Sequence, residues 1–343
     1  TADYYNIMWD GSTLTLKDAY ITKYVNDGSS AINGTAIGVA NSSGNAELTI
    51  QLEGSNTVSA STDVHVYANS GTATLNITGE NGGSLNASDY SNSGIWVQSN
   101  SSNATLTIQN ADVTLTPDYG IGVTVQAGNS SNASLTVEGG SLTASGRKGI
   151  LFPEGNPSLN VSGNTIVRAS GGIATGTNEN EPVTTDGTGI VFNGSTGTVY
   201  GNVTLKEDLT IGEGESLDIP SGASLTIPEG TTLTVNGGTL TQNGNVTGDI
   251  TYKVTKVELD ETSLTLKVGD EETLIPTITP DNATNQTVTW SSDNEQVATV
   301  ENGKVTAVGA GTATITVKTE DGEFTATCEV TVNKATPTFD EWT

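Results

Sequence analysis

Short segments of alternating apolar and polar residues recur along the first half of the chain: Leu48-Thr49-Ile50, Leu75-Asn76-Ile77, Leu106-Thr107-Ile108, Leu135-Thr136-Val137 and Leu159-Asn160-Val161. Alternation with period two is the pattern of a strand with one face buried. The leucines stand 27, 31, 29 and 24 residues apart, and recurrence at this interval marks a solenoid, in which each unit buries its apolar face only against a stacked neighbour. A second series runs in phase with the first: Ile37-Gly38-Val39, Val64-His65-Val66, Ile95-Trp96-Val97, Ile121-Gly122-Val123 and Ile150-Leu151-Phe152. A third follows the leucine segments, as in Gly83-Ser84-Leu85-Asn86-Ala87 and Gly140-Ser141-Leu142-Thr143-Ala144. Three short strands per turn predict a parallel β-helix over residues 1–250, with coils about 4.8 Å apart, Leu, Ile and Val stacked inward, and Thr and Asn facing water. Parallel crossovers are overwhelmingly right-handed, so a right-handed helix is expected.

The pattern changes at three places. Before the first full coil, Tyr4, Tyr5, Met8 and Trp9 are expected to shield the open end of the core, as solenoid caps do. Between residues 174 and 188 the alternation lapses, which predicts the longest loop. Beyond it Leu217, Leu225 and Leu233 stand only eight residues apart, a spacing that suggests a narrowing helix or the loss of one or two faces. Residues 251–334 follow another plan, with short strands such as Val288-Thr289-Trp290, Val297-Ala298-Thr299-Val300 and Ala313-Thr314-Ile315-Thr316-Val317 separated by turns such as Glu301-Asn302-Gly303. That predicts an antiparallel sandwich. Residues 335–343 read as a linker into a further domain. The fold class expected is therefore all-β throughout.

Within the second region, Leu264-x-Leu-x-Val-Gly269, Val288-Thr-Trp290-Ser-Ser-Asp293, Val297-Ala-Thr-Val300, Gly303-x-Val305-Thr-Ala307 and Gly311-Thr-Ala-x-Ile315-Thr-Val317 resemble the bacterial immunoglobulin-like domains of the second group over residues 254–333. The resemblance implies a non-catalytic spacer or adhesion module on a bacterial surface, with Trp290 as core aromatic and Cys328 buried. Residues 10–250 resemble, in repeat style, the pectin-lyase-like β-helices of bacterial adhesins and cell-surface proteins.

Composition narrows the functions that fit. The formal net charge is −27, spread along both regions, and such a surface repels phosphate backbones and anionic lipid. Nucleic-acid partners are disfavoured, and no apolar run is long enough for membrane insertion. Cys328 is the single cysteine, so no internal disulfide forms. No signal peptide is recognisable, and a mature or trimmed fragment is expected. The many Asn-x-Ser/Thr triplets are turn chemistry in a chain this rich in Asn, Ser and Thr.

Parallel β-helices often carry polysaccharide lyases and hydrolases. Polygalacturonase-type hydrolases resemble one another in paired aspartates, a Gly-His-Gly and an Arg-Ile-Lys. This chain has no Asp-Asp pair, and its one histidine, His65, lies in Val-His-Val, where alternation should turn it outward. Glycoside hydrolysis needs two carboxyls about 5–9.5 Å apart, one held protonated. Asp89 and Asp118, 29 residues apart, are the pair that stacking could bring together, but in turns both should stay ionised. Arg147-Lys148 is the one basic pair of the helix and reads as a solvated corner rather than a lyase base, with no acidic cluster for calcium beside it. The aromatic set is more suggestive. Tyr90, Trp96 and Tyr119 recur at related positions of successive coils and could form a ladder on which sugar rings stack. Phe152 and corner-plugging tyrosines are the bland alternative.

The expectation is a non-catalytic, extracellular or cell-surface bacterial protein, monomeric, without cofactor or metal, whose β-helix offers a lateral surface to a glycan or host protein. The alternatives are a polysaccharide lyase or glycoside hydrolase with an atypical site, and a stalk with no ligand.

Overall fold

The computed structural model describes residues 6–22, 34–88, 92–116, 119–176, 178–179 and 184–334. All secondary structure among them is β. The chain divides into two compact units, one of Thr1–Lys206, Glu215–Thr231 and Leu240–Gly248, the other of Glu207–Gly214, Thr232–Thr239 and Asp249–Thr343.

The first unit is a parallel solenoid, and its registers follow the repeats in the sequence. Leu48, Leu75, Leu106, Leu135 and Leu159 pair directly from coil to coil. So do Leu85, Val113, Leu142, Val167 and Val191, and, on the opposing seven-stranded sheet, Ile37, Val64, Ile95, Val123, Ile150 and Ile173. These residues are buried and join one apolar core. Aliphatic side chains stacked in register pack against one another in the interior, and each backbone strand is satisfied by the coils on either side.

The corner between the leucine strand and the next strand permits no side chain. A Cβ on Gly83 would collide with the Leu52 carbonyl oxygen, and one on Gly140 with the Ala111 carbonyl oxygen. One coil presses its backbone against the coil before it there, which explains the Gly that opens both Gly-Ser-Leu segments.

Four expectations need correction. The amino-terminal cap is a short strand, Ile7–Trp9, paired antiparallel to Thr13–Lys17. Met8 and Trp9 stay 38% and 55% exposed, so backbone pairing covers the sheet edge while their side chains do not plug the core; Tyr4 and Tyr5 lie outside the described residues. The segment 174–188 is not one loop, since Asn178–Glu179 folds back on Ile173–Thr175 and a strand begins at Thr184. Within the larger sheet the parallel ladder is interrupted where Thr184–Asn193 and Thr196–Tyr200 form an antiparallel hairpin around Gly194, whose positive φ of 62° suits the turn. Finally, Leu217, Leu225 and Leu233 belong to strands of three different sheets. Eight residues is the step from one face to the next, and no face is lost.

In the second unit, Leu209–Ile211, Leu233–Val235 and Ile250–Tyr252 form a parallel sheet. The remainder is a sandwich. One sheet orders Ser263–Lys267, Thr325–Asn333, Gly311–Thr319 and Val288–Ser292, another Glu271–Thr273, Lys304–Ala307 and Ala298–Glu301, and Lys256–Leu259 pairs with Pro276–Thr279. The expected antiparallel pattern has one exception, the parallel pairing of Ser263–Lys267 with Thr325–Asn333. Ile315, Cys328, Val330, Val305 and Ala298 form the core, and Trp290 packs against it half-buried.

Candidate functional site

On the seven-stranded sheet, the residues between the inward aliphatics form an outward column: Gly38, His65, Trp96, Thr124, Leu151 and Ala174, each paired with the next. A second outward column runs beside it through Ala40, Tyr67, Gln98 and Gln126. Strand periodicity alone puts these side chains on one face, and the face is aromatic at one level and amide-rich beside it.

His65 and Trp96 stack with ring centroids 4.8 Å apart and planes 10° from parallel. Tyr67 meets His65 edge-on at 6.3 Å. The Tyr67 hydroxyl donates to Asn69 Oδ1 at 3.3 Å and accepts from Asn100 Nδ2 at 2.8 Å. Asn100 Oδ1 in turn accepts from Gln98 Nε2 at 3.0 Å. Thr124, the next rung above Trp96, shares a hydrogen bond of 2.9 Å with Ser93.

His65 therefore faces outward, as alternation requires, yet it is only 4% exposed. The corrected point is its solvation. Burial lowers its pKa to about 4, so the imidazole is neutral at pH 7. Among the described residues the buried His65 Nε2 and Trp96 Nε1 meet no hydrogen-bond partner; such groups would be bonded in water.

The three ladder residues are not treated alike. Trp96 lies half-buried in the column, against His65. Tyr119 is 85% exposed, but it stands five residues before Thr124, the partner of Trp96, and so belongs to a different level along the strand direction. Tyr90 lies outside the described residues. Phe152 is 2% exposed and points into the core. The stacking partner of Trp96 is thus the residue one coil earlier, which the sequence displays as the shared central position of Val64-His65-Val66 and Ile95-Trp96-Val97. Its single-histidine identity obscured the match.

Asp89 and Asp118 also lie outside the described residues. Arg147 is exposed at a corner and Lys148 half-buried beside it. Among the described residues no three His, Cys, Asp or Glu side chains are grouped as a metal site, and no helix is long and apolar enough to cross a membrane. One feature escaped the sequence entirely. Arg168 lies 4.0 Å over the ring of Phe192, its register partner, and pairs with Glu215 at 2.9 Å.

Residues 253–330 match the family model of the bacterial Ig-like domain (group 2). Similar curated proteins include an Ig-like virion protein of Serratia phage KSP90, 45% identical over 23% of this chain and 32% of its own length. A minor capsid protein of Enterobacteria phage T3 is 46% identical over 24% of this chain and 18% of its own. An alpha-L-arabinofuranosidase of Bifidobacterium longum subsp. longum is 47% identical over 25% and 7%. The chain thus spans less than a third of the length of each of these relatives. Among solved structures, domains 4 and 5 of the S-layer protein SbsC match 24% of this chain and 55% of theirs at 23% identity, with a TM-score of 0.21. Together with the sandwich and its Cys328-centred core, the match over residues 253–330 makes this segment a bacterial Ig-like domain of the second group, preceded in the chain by a parallel β-solenoid.

Proposed function

We propose that this chain is a non-catalytic bacterial surface or secreted protein, acting as a monomer, whose solenoid binds a glycan along the outer face of the seven-stranded sheet. The observation that carries this reading is the half-buried Trp96, held in place by its stack on buried His65 and flanked by half-buried Tyr67 and by the amides of Gln98 and Asn100. Aromatic faces take the apolar side of a sugar ring, and amides bond its hydroxyls. The Ig-like domain serves as a spacer, consistent with its match to segments of proteins named as virion, capsid and glycosidase. The acidic surface favours neutral over anionic glycans.

The test is incubation of the chain with neutral polysaccharides, pectins, alginates and host glycans, scoring both retention and new ends. Retention without new reducing or unsaturated ends, weakened in Trp96→Ala, is expected. New ends would replace the reading with a glycan-cleaving enzyme. Neither retention nor cleavage would leave a stalk, and the proposal would fall.

A further inference from the structure

A cleft of about 460 Å³ opens in the second unit, lined by Gly212, Glu213, Asn236, Gly237, Thr255 and Phe324. Its size lies within the roughly 300–1,000 Å³ of small-molecule sites. Its floor is built by repetition. Ile211 pairs with Val235 and Val235 with Tyr252, and the ladder continues past the strands, with Asn236 N donating to Ile211 O and Lys253 N to Val235 O, both at 2.9 Å. The turns Gly212-Glu213 and Asn236-Gly237 are therefore stacked one rung apart. Gly237 has a φ of +77°, and a Cβ there would come within 3.4 Å of Glu213.

Phe324 lines the same cleft, and its ring is held in place. Phe324 is 36% exposed, and its ring covers Gly322 so closely that a Cβ on that glycine would overlap it. Phe324 N donates to Thr319 Oγ1 at 3.0 Å, and Thr319 N to Phe324 O at 2.9 Å. Asp321, in the same loop, accepts from Lys253 Nζ at 2.8 Å and from Val254 N at 3.1 Å. That carboxylate fixes the ring's loop to the strand leading to Thr255, whose hydroxyl donates to Thr279 O at 3.1 Å and keeps its lone pairs for another donor.

We propose that this cleft binds one uncharged pyranose unit, with its apolar face on Phe324 and its hydroxyls on Glu213, Asn236 and Thr255. An aromatic ring lining the same cleft as a carboxylate, an amide and a hydroxyl offers one apolar surface with both donors and acceptors, the combination a sugar ring presents in mirror image. The carboxylate of Glu213 and the chain's net charge of −27 oppose uronates and sulfated sugars. None of the cleft residues belongs to the seven-stranded sheet.

Saturation-transfer NMR and calorimetry on the full chain, with the methyl glycosides of glucose, galactose, mannose and N-acetylglucosamine and with methyl glucuronide as anionic control, test the proposal. At least one neutral glycoside should bind and the glucuronide should not. Phe324→Ala should weaken binding about tenfold or more, Phe324→Tyr should retain it, and Asn236→Ala should weaken it without moving the unfolding midpoint. Trp96→Ala should leave it intact. Absence of transfer from every neutral glycoside, or undiminished binding in both Phe324→Ala and Asn236→Ala, overturns the proposal. Binding lost in Trp96→Ala but kept in Phe324→Ala overturns it while preserving the solenoid reading.

Discussion

His65 shows what a solenoid does to a single side chain. On an isolated strand an outward histidine would be wet and titrate near 6.5; stacked on Trp96 it is buried, and its pKa drops to about 4. The unfolded chain then takes up a proton at a pH where the folded chain does not. Stability is full above about pH 6.5 and falls as pH drops through 4, by about 3 kcal/mol in total from this group. Urea unfolding of the native chain and of His65→Phe, compared between pH 7 and 4, should show that much less acid loss in the variant; equal slopes would mean the imidazole is solvated. Gly140 tests backbone approach in the same way. Gly140→Ala forces a methyl into the Ala111 carbonyl and should cost about 1–3 kcal/mol, whereas exposed Gly214, with nothing near its Cβ, should lose stability only through its φ of 76°. At this scale the sequence was partly legible. Alternation gave the direction of His65, but burial depends on what lies over it, and no spacing rule encodes that. Arg168 over Phe192 was illegible because the two residues are neighbours only once the register of their coils is known.

Among the elements, the in-register leucines behave as a column in which each member contacts its own kind above and below. Leu106 is fully buried between Leu75 and Leu135. Leu106→Ala should destabilise by about 3–5 kcal/mol, measured by denaturant midpoint, and should do so more than Leu233→Ala, whose partners are Leu209 and Ile250 on a three-stranded sheet. The five leucine segments and their in-phase partners announced these strands because one residue type recurs at one position per turn. The eight-residue spacing of Leu217, Leu225 and Leu233 misled for a related reason: when corners shorten to a few residues, the distance between faces within one turn resembles a new, smaller period. The hairpin at 184–200 was hidden as well, since a strand's apolar alternation is the same whether its neighbour runs parallel or antiparallel.

For the molecule as a whole, charge is the dominant long-range term. With 39 acidic against 12 basic side chains, self-repulsion opposes compaction and is screened by salt. The thermal midpoint should rise between 10 mM and 500 mM sodium chloride; a flat or falling midpoint would show that ion pairs such as Lys253–Asp321 and Arg168–Glu215 outweigh the net charge. The division into a repeating region and a sandwich was evident from the change of strand spacing near residue 252, and the cleft was not, because it draws on residues from 212 to 324 that have no common pattern. The sole thiol of the chain adds a practical dividend. Cys328 is fully enclosed among the sandwich side chains, and that enclosure pushes its pKa up, so an alkylating dye can reach sulfur only during moments when the Ig-like domain is open. Labelling kinetics of the unaltered protein thus clock the breathing of one region alone, leaving the solenoid silent in the same tube.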